Sequence, residues 1–179
     1  IFSGHGPNYR AMQYITFASG GRTVTFGDST YNAAPNSSTK TCTANSTRFL
    51  NMGDYQWTNS IDYVQINTIG NATNFGDLSA EKAQATGFSS PIKAMFAGGY
   101  SPGNVHHSTI EAVTIASTGN ASDFGDLTNK IKTNGGGSGN RTRGIISGGT
   151  PGGSYIDNID QINLSSGGNA TSTGKFVSY

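Results

Sequence analysis

The tripeptide Phe-Gly-Asp occurs at Phe26-Gly27-Asp28, Phe75-Gly76-Asp77 and Phe124-Gly125-Asp126, at a constant interval of 49 residues. The same step relates Gly21, Gly70, Gly119 and Gly168, and Asn71-Ala72-Thr73 to Asn120-Ala121-Ser122 and Asn169-Ala170-Thr171. It also relates Met12 to Ile61, Ile110 and Ile159. An acidic column, Asp62, Glu111 and Asp160, follows directly, with Gln13 at that place in the first copy. A period of this size marks a repeat protein, in which each unit buries its apolar faces only against its neighbours.

A second block precedes each of these: Ile1-Phe2-Ser3-Gly4, Asn51-Met52-Gly53, Met95-Phe96-Ala97-Gly98-Gly99 and Ile145-Ile146-Ser147-Gly148-Gly149. Its distance to the following apolar column varies, from 8 residues (Gly4 to Met12) to 12 (Gly98 to Ile110). Variable length with Gly, Pro and Ser marks a surface loop between two strands. Each repeat therefore reads as three to four short strands. One ends at the Gly-Gly, and one runs over about 61–67 and its equivalents. A turn follows at Gly-Asn, a short outer strand leads into Phe-Gly-Asp, and a weakly patterned strand lies near 83–89. No helical period is sustained.

In Ile61, Tyr63, Val64 and Ile66 apolar residues fall on both faces of the strand, as a sheet packed between two others requires. The expected architecture is an all-β repeat protein, a β-propeller of about four blades of roughly 49 residues, or a fragment of a larger one. It forms a single domain over 1–179, with approximate repeats 1–40, 41–89, 90–139 and 140–179. Phe75 and Phe124 are expected as plugs between blades. Three to four copies allow a four-bladed ring, part of a larger ring, or a ring completed by other subunits.

Composition narrows the function. Net charge is +1 and only 12% of residues are charged, so nothing favours nucleic acid or an anionic membrane. No apolar run approaches the length of a membrane helix, and membrane insertion is not expected. Cys42 is the single cysteine, which excludes an internal disulfide. No Gly-x-Ser-x-Gly elbow, phosphate-binding loop or His-Glu-x-x-His is present. Gly135-Gly136-Gly137-Ser138-Gly139 lacks the Lys-Ser/Thr of a phosphate site and reads as a flexible loop. His106-His107 would need a third ligand to hold a metal, and adjacent strand residues point apart. The acidic column sits one residue per repeat. It reads as carboxylates accepting backbone N–H groups rather than as an acid/base pair. Asp28, Asp77 and Asp126 read as turn caps, and the Asn71, Asn120 and Asn169 sequons as turn residues. No catalytic residue, metal ligand or cofactor site is assigned, and the chain is not expected to be an enzyme. The residues left for binding are the loop aromatics and histidine: Tyr55, Trp57, Tyr100, His106 and Tyr155. Such side chains stack on sugars and anchor protein interfaces, and ring closure would gather them on one face.

The Gly-Gly ending an apolar strand, kept in Gly98-Gly99 and Gly148-Gly149, resembles kelch repeats, although the spaced Tyr and Trp of that signature are missing. Ile61 to Leu78 and Ile110 to Leu127 resemble the Gly/Ser/Thr-rich repeats of tailed bacteriophages, especially those of marine cyanobacteria; Met12 to Asp28 and Ile159 to Gly174 fit more loosely. That pattern reads Ile-Asp-Tyr-Val-x-Ile-x-x-Thr-Gly-Asn-Ala-Thr-x-Phe-Gly-Asp-Leu. The resemblance implies a non-enzymatic virion structural or appendage protein (tail fibre, adhesin or capsid decoration), located on the virion or outside the cell. Its partners would be other virion proteins and host-surface glycans, and a homo-oligomer is expected. The alternative is a secreted carbohydrate-binding β-propeller. A hydrolase or oxidase on the same scaffold would need a clustered polar site, which the sequence does not display.

Overall fold

The computed structural model of the protein describes residues 1–3, 10–30, 40–52, 57–132 and 135–177. Within them the fold is all-β, in four antiparallel sheets that follow one another along the chain. The first contains β1 (Phe2–Ser3), β2 (Ala11–Tyr14) and β3 (Val24–Asp28). The second contains β4 (Thr41–Ala44), β5 (Arg48–Met52), β6 (Thr58–Gln65) and β7 (Thr73–Lys82). The third contains β8 (Thr86–Ser89), β9 (Lys93–Ala97), the two-residue β10 (Tyr100–Ser101), β11 (Val105–Thr114) and β12 (Ser122–Ile131). The fourth contains β13 (Gly136–Gly139), β14 (Arg143–Ser147), β15 (Asn158–Asn163) and β16 (Thr171–Lys175).

The 49-residue step seen in sequence is a step in register. Met12, Ile61, Ile110 and Ile159 stand opposite Gly27, Gly76, Gly125 and Gly174, and in every sheet the ladder then slips by one residue. The slip leaves Phe26, Phe75, Phe124 and Thr173 without a ladder partner, as the extra residue of a β-bulge. In the first sheet Phe-Gly-Asp ends its strand, as expected, whereas in the second and third it lies inside the strand. The outer strands β7 and β12 run through it to Lys82 and Ile131.

The bulge turns the phenylalanine carbonyl out of its own sheet, and the next sheet uses it. Gly70 N donates to Phe26 O at 2.9 Å, Gly119 N to Phe75 O at 2.8 Å and Gly168 N to Phe124 O at 2.9 Å. Two residues on, the amides of Ala72, Ala121 and Ala170 donate to the carbonyls of Asp28, Asp77 and Asp126. The reverse bond is a side-chain one: Asn71, Asn120 and Asn169 Oδ1 accept from the Asp28, Asp77 and Asp126 amides at 3.0, 3.0 and 3.1 Å. These aspartates and asparagines were expected to serve turns within a repeat. Instead they join consecutive repeats. The approach is too close for a side chain. A Cβ on Gly27, Gly76 or Gly125 would lie 2.0–2.2 Å from the carbonyl oxygen of Gly70, Gly119 or Gly168.

The acidic column makes the second set of joints. Asp62 Oδ2 accepts from Thr30 N (2.8 Å) and Thr30 Oγ1 (3.0 Å) of the preceding sheet. Glu111 Oε1 accepts from Ser79 N at 2.7 Å, and Asp160 accepts from both groups of Thr128. As the sequence suggested, these carboxylates receive backbone N–H groups, one per sheet. Glu111 also forms a buried ion pair with Lys82, 2.5 Å apart, with side-chain exposures of 2% and 3%.

Side chains alternate across each strand, so each inner sheet feeds two cores. Met12 and Phe26 pack on Phe49, Val64 and Ala72. Leu50, Ile61 and Phe75 pack on Ala94, Phe96 and Val113. Met95, Ile110 and Leu127 pack on Ile146, Ile162 and Leu164. Phe75 is the expected plug between sheets, and Phe124 is half-buried against its cluster.

The glycine run at 135–139 was expected to be a flexible loop. It forms β13 at Gly136–Gly139, paired along its length with β14. Its composition follows from crowding, because a Cβ on Gly137 would lie 2.7 Å from Gly87 O and one on Gly139 would lie 2.3 Å from Ser89 O. β4, β8 and β13 run side by side, and side-chain hydroxyls link them: Thr41 Oγ1 to Ala85 O, Thr86 Oγ1 to Gly135 O and Ser89 Oγ to Ala44 O.

Candidate binding surface at the variable-loop end

Because neighbouring strands are antiparallel, the tight β4–β5, β8–β9 and β13–β14 hairpins lie at one end of the sheets. The loops of variable length lie at the other. The Gly-Gly pairs shape the loop end. Gly98 and Gly99 have φ of +68° and +87°, and Gly148 and Gly149 have +69° and +102°, a region costly for other residues. The turn lets Gly99 N reach Ile131 O at 2.9 Å and joins Tyr100 and Ala83 through two backbone bonds. Lys132 N donates to Thr150 O at 2.6 Å, stitching the third sheet to the loop of the fourth.

The sequence candidates divide on this surface. Trp57, held at φ +58°, sets its ring edge-on to Tyr100 with centroids 4.8 Å apart. Tyr100 is buried, so it packs beneath the loops and offers no free face. Lys132 Nζ lies 4.7 Å from the Tyr100 ring centroid, a cation–π contact. His106 stands opposite Tyr100 in the β10–β11 ladder, half-buried, and its ring fills the space a Cβ on Gly152 would need. Tyr155 is 83% exposed. Tyr55 lies outside the described residues. The surface thus runs from Trp57 of the second sheet through Tyr100 and Lys132 to the Thr150–Tyr155 loop of the fourth.

A cleft of about 220 Å³ opens at its end, lined by Lys132, Thr150, Gly152, Gly153 and Tyr155. It combines a cation, an exposed phenol ring and loop backbone, which suits stacking on a sugar or pairing with an acidic group. Lys132 was missed in the sequence. It belongs to no repeat column, and only the stitch to Thr150 brings it beside Tyr155.

The other reactive groups are engaged elsewhere. His107 Nε2 is 2.6 Å from Ser101 Oγ, and burial, helped by nearby Lys82, lowers its pKa, leaving the ring neutral at pH 7. Burial pushes the Cys42 thiol up to about 12, so it stays protonated and unreactive. Burial also raises Asp62, against the Thr30 hydrogen bonds. On Glu111 burial acts upward too, but the Lys82 and Ser79 bonds outweigh it and the net shift is downward. Among the described residues no group of three His, Cys, Asp or Glu side chains could hold a metal ion. No helix among them is long and apolar enough to cross a membrane.

A groove of about 420 Å³ lies at the hairpin end, between Asn45-Ser46, Ser90-Pro91 and Asn140-Arg141. Its polar groups serve the turns. Asn45 Oδ1, Ser90 Oγ and Asn140 Oδ1 cap their own hairpins, and Asn45 Nδ2 donates to Pro91 O. Compared with known proteins, the chain matches no family model and no curated protein.

Proposed function

We propose that the protein is a non-enzymatic structural and binding module built on a kelch-like propeller plan, serving as a virion structural or appendage protein. Its stacked repeats supply rigidity, and its variable-loop end engages other virion proteins or a host-surface glycan. One observation supports the binding-module part of this reading; the virion part rests on the repeat resemblance. The polar residues that recur at the 49-residue step are consumed in joints between sheets, whereas residues that differ between repeats gather at one end. A scaffold that holds its frame constant and varies its loops is organised for recognition.

The exposed Tyr155 ring beside Lys132 supports the second reading, a secreted carbohydrate-binding module acting alone. Quantitative mass spectrometry of purified particles from the source separates the two: recovery at stoichiometric copy number supports the virion component, and recovery only as a free secreted chain supports the lectin-like module. For either ligand class, Tyr155→Ala and Lys132→Ala are each expected to weaken binding about tenfold or more; Tyr155→Ala leaves the melting temperature unchanged, whereas Lys132→Ala lowers it slightly through the lost contact with Tyr100. Binding of the isolated protein to a glycan array and to purified virion proteins checks this. Undiminished binding by both variants removes the loop end as the site.

A further inference from the structure

Three of the four sheets present a bulge face that is covered by the next sheet; the fourth sheet presents the same face to solvent. There the bulge persists at Thr173, so its carbonyl is turned out of the ladder, and Gly174 holds the glycine column. A Cβ on Gly174 would meet nothing within 4 Å, whereas at Gly27, Gly76 and Gly125 it would strike the neighbouring backbone. Arg143 repeats the place of Arg48, whose guanidinium crosses to the next sheet and donates to Ile115 O at 2.6 Å; Arg143 is exposed. Phe176 and Val177, beside Gly174, are 52% and 75% exposed.

The first sheet shows the complementary face, also uncovered. Phe17 is 96% exposed, while Ile115 and Leu164 at the same step are buried. The two faces retain the backbone elements of the joint in Gly21 and Gly174, but their side chains do not fit each other. Where Asn71, Asn120 and Asn169 accept an amide, the first sheet carries Arg22, which has no acceptor. The amide it would have to receive belongs to Lys175, whose ammonium is paired with Asp157 at 3.1 Å, so that amide would be left without an acceptor. The hydroxyl–carboxylate joint is missing from both faces as well, with Val177 at the Thr30/Ser79/Thr128 position and Gln13 at the acidic one. Such mismatches disfavour a wrong pairing while leaving the right one open.

From this we infer that the bulge face of the fourth sheet is a docking surface for a further repeat unit bearing a Gly-Asn-Ala turn. The occupant is not this chain's own first sheet or that of a second copy. The partner's glycine and alanine amides meet the carbonyls of Thr173 and Lys175, its asparagine accepts from the Lys175 amide, and its apolar face covers Phe176 and Val177. This continues the three joints inside the chain and is independent of what the loop end binds. A homo-oligomer is then built through other surfaces than these two.

The test extends the 179-residue chain by a second copy of residues 131–179 placed directly after Tyr179, which keeps the period and brings a Gly-Asn-Ala turn to Gly174. Hydrogen exchange is followed at the added copies of Gly168 and Ala170, and at Gly21 and Thr23. The expected result is protection of the added amides by about 100-fold or more, with Gly21 and Thr23 exchanging freely. Asn169→Arg in the added copy alone should lower that protection at least tenfold. Added amides that exchange freely, whether or not the added unit folds, overturn the proposal. So does protection of Gly21 and Thr23 in the unextended protein, which would assign the face to the chain's own first sheet or a second copy.

Discussion

Gly76→Ala is expected to destabilise the protein by about 3 kcal/mol or more, measured by chemical denaturation. The new Cβ would sit 2.2 Å from Gly119 O, and the backbone at φ +156° disfavours any side chain. Relief requires separating the second and third sheets, which breaks the Gly119–Phe75 and Ala121–Asp77 bonds and opens the core between Phe75 and Val113. Gly174→Ala is the comparison, at a glycine that lacks the positive φ of Gly76. It occupies the same register in the fourth sheet with open space around it, and its effect should stay within about 0.5 kcal/mol. Equal effects at the two positions would mean that neither the close approach of Gly119 nor the positive φ of Gly76 sets the cost.

The second large effect is at the buried ion pair. Glu111→Gln leaves the Lys82 ammonium buried without its counter-charge, and a cost of about 3–5 kcal/mol is expected at pH 7. The pair also sets a pH dependence. The Glu111 pKa is lowered from its ordinary 4.5, so its contribution is complete above that value in the unfolded chain and is lost as pH falls through the lower folded value. Asp62, whose pKa is raised by burial, acts in the opposite sense; its contribution is present at low pH and diminishes as pH rises through the raised folded value. Denaturation midpoints between pH 3 and pH 7 should therefore fall toward acid in the parent protein more steeply than in Glu111→Gln. An unchanged pH profile in the variant would exclude the pair as its source.

Repeat order and the all-β class were legible because register repeats with the sequence. One residue of each column reaches the same place in each sheet, so the 49-residue step carries over into three dimensions. The role of Phe-Gly-Asp was not legible. A bulge needs the partner strand's register to be visible, and without it glycine followed by aspartate reads as a turn. The Gly136–Gly139 strand was hidden for a related reason: glycine there answers to a neighbouring backbone and not to the local chain. At the loop end, exposure separated candidates that sequence treated alike. Tyr100 and Tyr155 are both loop tyrosines, but one is clamped between Trp57 and Lys132 while the other stands free in solvent. Lys132 had no column to mark it.

Amide hydrogen exchange in the intact protein, resolved at Gly70, Ala72, Gly119, Ala121, Gly168 and Ala170, tests the stacked-repeat account most directly. These amides sit in or beside surface turns and have carbonyl partners only on the preceding sheet. All six should exchange about a thousandfold or more slower than free peptide, corresponding to an opening cost of about 4 kcal/mol, while Gly21 and Thr23 at the same step in the first repeat exchange freely. Exchange at free-peptide rates at all six, in a chain whose strands are otherwise protected, would contradict the account, because the four sheets would then not be joined to one another.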